Sequence, residues 1–292
     1  MSSSWPLWVC LLFLPFIYLC YAYLNRPLKF RQLISSPPPG RSVVPKPVTS
    51  AVTKIKQPYD VFLVSDFEAT CEEGKDFMYP NEIIEFPVFL MKWKDKTEND
   101  HASQLEIAAE FHSFVRPSWR PQLSAFCTGL TNITQEKVDA APDFPRVLDS
   151  LRSFLMKQGV IDKFGRRKLK YCWCTDGPWD ISHFVVKQAF ISRASEWLAG
   201  DFVDVRQLVR LHSGTKSDAP KGRLNIPAQL KTLGLEPFIG RQHSGADDAR
   251  NLGRILTELA VEGVQLRPNT SVNLRRRWPW MGKFGQVLED HI

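Results

Sequence analysis

"DVFLVSDFEAT", Asp60 to Thr70, sets four apolar residues in a row, Val61 to Val64, just ahead of Asp66-Phe67-Glu68. A short apolar run without alternation fits a central strand covered on both faces. Successive strand side chains point to opposite faces, so Asp66 and Glu68 share one face and Phe67 takes the other. Two carboxylates that close repel each other unless a proton or a cation lies between them. The plainer alternative is that the strand has ended and both acids face water.

Working outward, residues 83–93 and 108–115 read as two further strands by residue type. Phe144, Val147, Leu148, Leu151, Phe154 and Leu155 then recur at three- and four-residue intervals, which marks an amphipathic helix. Residues 169–175 read as a fourth strand, 179–191 as a helix, 202–208 as a strand-to-helix passage and 246–260 as a final helix. Three strands with short links, followed by strands alternating with helices, imply an α/β fold: a mixed sheet with helices packed on its faces.

The far end of the chain supplies a third acid. In "QHSGADDARNLGRILTEL" Ser244 precedes the final helix and Asp247 follows three residues later, the spacing of a capping box. Asp248 instead aligns with Leu252, Ile255 and Leu259 on the stripe that faces the sheet. An acid on a packing face needs a partner, and that stripe holds no Lys or Arg. A salt-bridged core acid is one reading; a cation shared with Asp66 and Glu68 is the other.

"YCWCTDGPWDISHF" carries more acids. Asp176-Gly177-Pro178 has turn chemistry. Asp180 falls in the first turn of the following helix, beside its packing face, where an acid is also favourable simply for the helix dipole. His243 lies in a Gly-, Ser- and Arg-rich loop five positions before Asp248. A lone loop histidine is usually solvated, but near an attacking water a neutral imidazole is the side chain suited to take a proton around pH 7.

The totals bound the class. At 292 residues and 43% apolar content the chain can bury one sizeable core. A net charge of +7 suggests an anionic partner without requiring nucleic acid. Cys172-Trp173-Cys174 puts two thiols on one strand face, and with no paired His or Cys motif nearby a reduced structural pair is expected, not zinc.

Residues 5–24, "WPLWVCLLFLPFIYLCYAYL", are uncharged and long enough to cross a hydrocarbon layer of about 30 Å. A single N-terminal hydrophobic helix within residues 1–25 is therefore expected as a membrane anchor, with a cleaved signal peptide the weaker reading because no Lys or Arg precedes the run. Arg26, Lys29, Arg31 and Arg41 follow it, so the bulk of the chain is expected on the cytosolic side. Residues 26–57 read as a Pro- and Ser-rich linker, 58–268 as the folded domain and 269–292 as a basic aromatic tail.

Together, "DFEATC", "EIIEFP", "FCTGLTNIT", "TDGPWD" and "HSGADDARNLGRI" resemble, in that order, the signature blocks of the DEDDh 3′-to-5′ exonucleases, most closely the three-prime histone mRNA exonuclease and enhanced-RNA-interference (Eri-type) group. The resemblance covers about residues 58–268. It implies an RNase H-like mixed five-stranded sheet with flanking helices, two Mg²⁺ or Mn²⁺ ions, and removal of nucleotides from RNA 3′ ends. By position it implies Asp66, Glu68, Asp180 and Asp248 as metal ligands and His243 as general base. Phe67, Glu68, Ala69, Leu130, Trp179 and His243 would surround the terminal nucleotide. Hard divalent cations take oxygen ligands, and two of them suit in-line phosphodiester displacement. A DNA 3′ exonuclease of the same superfamily and a non-catalytic RNA-binding scaffold are the competing readings. Ahead of the nuclease blocks, where the Pro-rich linker and the apolar run stand, no helical nucleic-acid module is expected. The basic tracts 163–170 and 273–284 are candidates for RNA contact, though both equally suit a membrane surface or a disordered tail.

Overall fold

The computed structural model describes residues 53–194, 198, 200–214 and 224–292. Its strands and helices begin with β1 (Ile55–Lys56), β2 (Val61–Val64), β3 (Glu68–Ala69), β4 (Ile83–Trp93), β5 (His101–Ala102) and β6 (Leu105–Phe114). Helices α1 (Ala125–Thr131), α2 (Gln135–Asp139) and α3 (Phe144–Lys157) follow, then β7 (Tyr171–Thr175). A π-helical turn (Asp180–Val185) runs into α4 (Val186–Ile191), followed by β8 (Val203–Asp204), α5 (Val205–His212), α6 (Ile226–Thr232) and α7 (Gly245–Val261).

β2 is the middle of the sheet because all four of its residues are apolar and fully buried. It pairs antiparallel with β4 and parallel with β7, so the sheet is mixed, as the order of elements implied. β6 pairs antiparallel with β4, and β8 pairs parallel with β7. The register that sets Val64 opposite Phe89 runs on to set Glu68 opposite Glu85. β3 is thus β2 continued past Asp66, and it makes a sixth strand beside the five expected.

Alternation along β2 feeds two cores. Val61 and Leu63 pack with Phe144, Val147, Leu151 and Leu155 of α3, whereas Phe62 and Val64 pack with Leu252, Ile255, Leu256 and Leu259 of α7. Burying each such side chain contributes about 1.5–3 kcal/mol. The helix α3 starts where Asp143 accepts the Arg146 N–H at 3.2 Å, a side-chain cap worth about 1 kcal/mol. Phe67 falls on the α3 side, its ring 4.5 Å from that of Phe86. Asp66 and Glu68 are thereby left on the α7 side.

Three short helices were not visible in the periodicity. α1, α2 and α6 span five to seven residues, too few turns for a repeat to register. The folded part also starts earlier than residue 58. The Gln57 amide donates to Val264 O at 3.0 Å and accepts from the Leu266 N–H at 2.9 Å, which pins the chain there. At the other end the basic tract 273–284 is not a free tail. Trp278 and Trp280 are buried with Val186 and Met281, because two indoles gain more from packing than from solvent.

The expected membrane anchor, and with it the cytosol-facing placement, does not hold. Among the described residues no helix is long and apolar enough to cross a membrane. The longest, α7, has 17 residues, about 26 Å at 1.5 Å per residue, and carries five charges. The run at residues 5–24 lies outside the described residues.

Candidate active site

The α7 side of the β2–β3 strand gathers three acids. One oxygen each from Asp66, Glu68 and Asp248 lies within 4.8 Å of the other two. Asp66 stands at the tip of β2, Glu68 opens β3, and Asp248 comes from the first turn of α7, which crosses the sheet at that end. Asp180 is not within that trio. Its Oδ1 accepts the Phe67 N–H at 2.7 Å, between the two strand acids, and it is the strongest neighbouring charge acting on Asp66. The π-helical turn brings it there by adding a residue to the helix start, a distortion common at functional sites.

α7 can approach so closely only because Gly245 has no side chain. A Cβ there would sit 2.4 Å from Asp66 O. The Gly245 N–H donates to Glu85 Oε2 at 3.0 Å, and Glu85 Oε1 meets His112 Nε2 at 2.8 Å. Glu85 is buried directly across from Glu68, and the exposed His112 is its partner. An acid inside the apolar run of β4 was the available signal for Glu85.

The capping box expected at Ser244 and Asp247 does not form. The Ser244 side chain makes no cap bond, and its N–H instead donates to Asp248 Oδ2 at 3.2 Å. Asp247 Oδ2 accepts the Arg241 N–H at 2.9 Å, so this acid fixes the loop ahead of the helix. Arg241 in turn donates to His243 O at 3.1 Å and to Leu130 O at 2.8 Å. His243 has φ 60°, a strained value for a non-glycine residue. The brace from Asp247 and Arg241 is what holds it.

These groups share a cleft of about 410 Å³ lined by Asp66, Phe67, Glu68, Ala69, Leu130, Trp179, Asp180 and His243. Every residue expected at the site except Asp248 lines it. Phe77, Phe126, Phe184, Cys71, Asp176 and Arg206 line it too, and sequence reasoning had singled out none of them for it except Asp176, as a turn residue. Arg206 is committed to Asp176, Nη2 to Oδ2 at 2.6 Å. Cys172 and Cys174 are free, buried thiols that pack in the core on the α7 side.

Electrostatics then decide what the acids need. Burial raises Asp66 well above the usual carboxylate range, with Asp180, Asp248 and Glu68 adding to it. Burial also lifts Glu68 to about 8, helped by Glu85 and Asp248. Asp180 rises to about 7 through burial, partly offset by the Phe67 N–H. Asp248 rises to about 7 for the same reason, offset by the His243 and Ser244 N–H groups. Four acids so placed are either protonated or neutralised by cations. An all-carboxylate donor set with no Lys or Arg of the described residues bonded to it fits a hard divalent cation.

Comparison with known proteins agrees with this arrangement. The sequence model of the exonuclease family matches residues 63–256. Mouse 3′-5′ exoribonuclease 1 is 37% identical over 220 residues, which cover 73% of this chain and 57% of that protein. The 3′-5′ exonuclease eri1 of Schizosaccharomyces pombe is 38% identical over 236 residues, covering 75% of this chain and 71% of the yeast protein. The crystallographic structure of the nuclease domain of 3′hExo, a DEDDh family member, bound to rAMP, has a TM-score of 0.63 at 34% identity. It covers 75% of this chain and 100% of that one. This chain thus spans a little over half the length of its mouse relative. With the family's sequence pattern and its fold both present, the chain belongs to the exonuclease family, in its DEDDh, Eri-type branch.

Proposed function

We propose that this protein is a 3′-to-5′ exoribonuclease, with residues 58–268 as its catalytic part and 269–292 folded against it. The observation that carries the reading is the meeting of Asp66, Glu68 and Asp248, with Asp180 and His243 lining the same cleft as Asp66 and Glu68. Asp66, Glu68, Asp180 and Asp248 would hold two Mg²⁺ or Mn²⁺ ions. When bound, such ions polarise the scissile phosphate and stabilise the departing 3′ oxygen. His243 takes the proton of the attacking water as its oxygen bonds to phosphorus. The bond from phosphorus to the 3′ oxygen of the upstream residue then breaks. A nucleoside 5′-monophosphate leaves, and the shortened strand keeps a free 3′ hydroxyl.

Phe67, Ala69, Leu130 and Trp179 wall the seat of the terminal nucleotide, where stacking tolerates any base. The relative solved with rAMP supports a ribonucleotide in that seat. RNA 3′ ends are the proposed substrate.

The test uses the full chain with 5′-labelled single-stranded RNA and DNA, in Mg²⁺, in Mn²⁺ and with chelator. A ladder of RNA shortened one nucleotide at a time, abolished by chelator, is expected. Shortening of DNA alone favours the DNA-directed reading, and no shortening of either favours the non-catalytic scaffold.

A further inference from the structure

Lys187 has no exposed surface, and no step of the proposed reaction uses it. Its ammonium donates to Phe77 O at 2.6 Å, Tyr79 O at 2.7 Å and Asn81 Oδ1 at 2.8 Å. It also lies 5.1 Å from the centre of the Trp278 ring. A buried ammonium is tolerated only when its donors are satisfied. Three donors meet three acceptors here, so the loop ahead of β4 is fastened to α4. The C-terminal segment closes the same joint, because Trp280 Nε1 donates to Met78 O at 2.6 Å.

What the joint carries is Phe77. Its ring stacks on that of Trp179 with centroids 4.2 Å apart and planes at 9°. It remains 40% exposed, and it lines the cleft that holds Asp66 and Glu68. An aromatic ring left half in water, yet locked parallel to a neighbour by three hydrogen bonds to its own loop, is preorganised to receive another flat group. The flat group that an exonuclease brings to this cleft is a nucleobase.

We propose that Phe77 is a further substrate-binding residue that forms, with Trp179, a two-ring stacking wall for the 3′-terminal base. Lys187, with Trp280, is the positioning residue that holds the wall. The inference rests on the exonuclease reading and deepens it. It also gives a reason for the burial of Trp278 and Trp280 in a C-terminal segment whose Arg275 and Arg277 stay exposed.

The experiment compares two 5′-labelled single-stranded RNAs, one ending in adenosine and one in an abasic ribose, with the full-length chain. The wild type is expected to have a lower KM for the end that bears a base. Phe77→Ala, a change at a half-exposed ring, is expected to shrink that preference about 2- to 10-fold, through a higher KM for the base-bearing RNA. Phe77→Tyr keeps the preference, since it keeps the ring. Lys187→Met and Trp280→Phe shrink it in the same direction; Trp280→Phe, which removes the bond to Met78 and part of the indole packing but keeps the three Lys187 bonds, does so less. A general structural lesion would instead lower kcat on both RNAs.

Full preference in folded Phe77→Ala overturns the wall. Full preference in folded Trp280→Phe and Lys187→Met overturns the positioning role, and Trp280→Phe alone decides it if Lys187→Met does not fold. An active wild type with no preference for the base-bearing end sinks this inference only; an inactive wild type sinks the exonuclease reading and this inference with it.

Discussion

The two ends of β2 each carry an acid and treat it in opposite ways. Just before the strand, Asp60 accepts the Lys96 ammonium at 2.5 Å and the Lys170 main-chain N–H at 2.8 Å, so the chain balances its own charge. Just after the strand, Asp66 faces Asp180, Asp248 and Glu68. Exposure does not separate them, because both are partly buried. The partner does. Where an acid is structural the fold provides a cation; where acids gather without one, neutralisation is left to something the chain must bind.

The sharpest break of that comparison is a paired substitution. Asp66→Asn is expected to abolish cleavage and divalent-ion binding, measured by RNA shortening and by titration calorimetry. Asp60→Asn should leave the rate intact and cost no more than about 1 kcal/mol of stability, read from thermal melts. Equal loss of activity from both would erase the distinction.

His243→Ala comes next, with kcat reduced about 10²- to 10⁴-fold and ion binding kept, since the imidazole moves a proton and the acids hold the ions. A loss of ion binding in this variant would move His243 out of that role.

A third expectation concerns pH. The folded pKa values of Glu68, Asp180 and Asp248 stand at about 8, 7 and 7, above the roughly 4 of an unfolded carboxyl. Without divalent ions the folded chain therefore binds more protons than the unfolded one. Stability from these groups is full below about pH 4 and drains away as pH climbs through about 7 to 8. Ions that neutralise the carboxylates cancel the penalty, so the Tm gain from saturating Mg²⁺ should grow between pH 5.5 and 8. A gain that is flat across this range, or largest at pH 5.5, contradicts the account.

The smallest effect belongs to Asp247→Asn. It weakens one hydrogen bond, to Arg241, in the brace behind His243. About 1 kcal/mol, or roughly fivefold in rate, is the scale of such a bond. The change should appear in kcat with ion affinity unaltered. A loss as deep as that of Asp66→Asn would mean the two neighbours on α7 are not divided into brace and ligand.

Legibility in the sequence followed the range of the interactions. The burial of Val61–Val64 and the shared face of Asp66 and Glu68 depend only on strand alternation, and Asp248 stood out because one helical stripe was otherwise apolar. Those signals are local, and the structure repeats them. Phe77 gave no signal, since it lies in a loop without periodicity and owes its place to Lys187 more than a hundred residues away. Lys187 itself was readable in part: it follows Asp180 by seven residues and His183 by four, the spacing of one helix face. The capping box misled because Ser244 and Asp247 have the right spacing, but the loop turn at Arg241 claims the Asp247 carboxylate first. In the C-terminal tract, Arg next to Trp suited RNA, a membrane surface or a disordered tail alike, and only tertiary packing reveals that the indoles are inward.

The most direct test of the claim that these acids are a cation site is a crystal of the full chain grown with Mn²⁺ and measured at the manganese absorption edge. Two anomalous peaks among Asp66, Glu68, Asp180 and Asp248 are predicted. A map in which that cluster holds no peak while the four side chains keep their places would contradict the account.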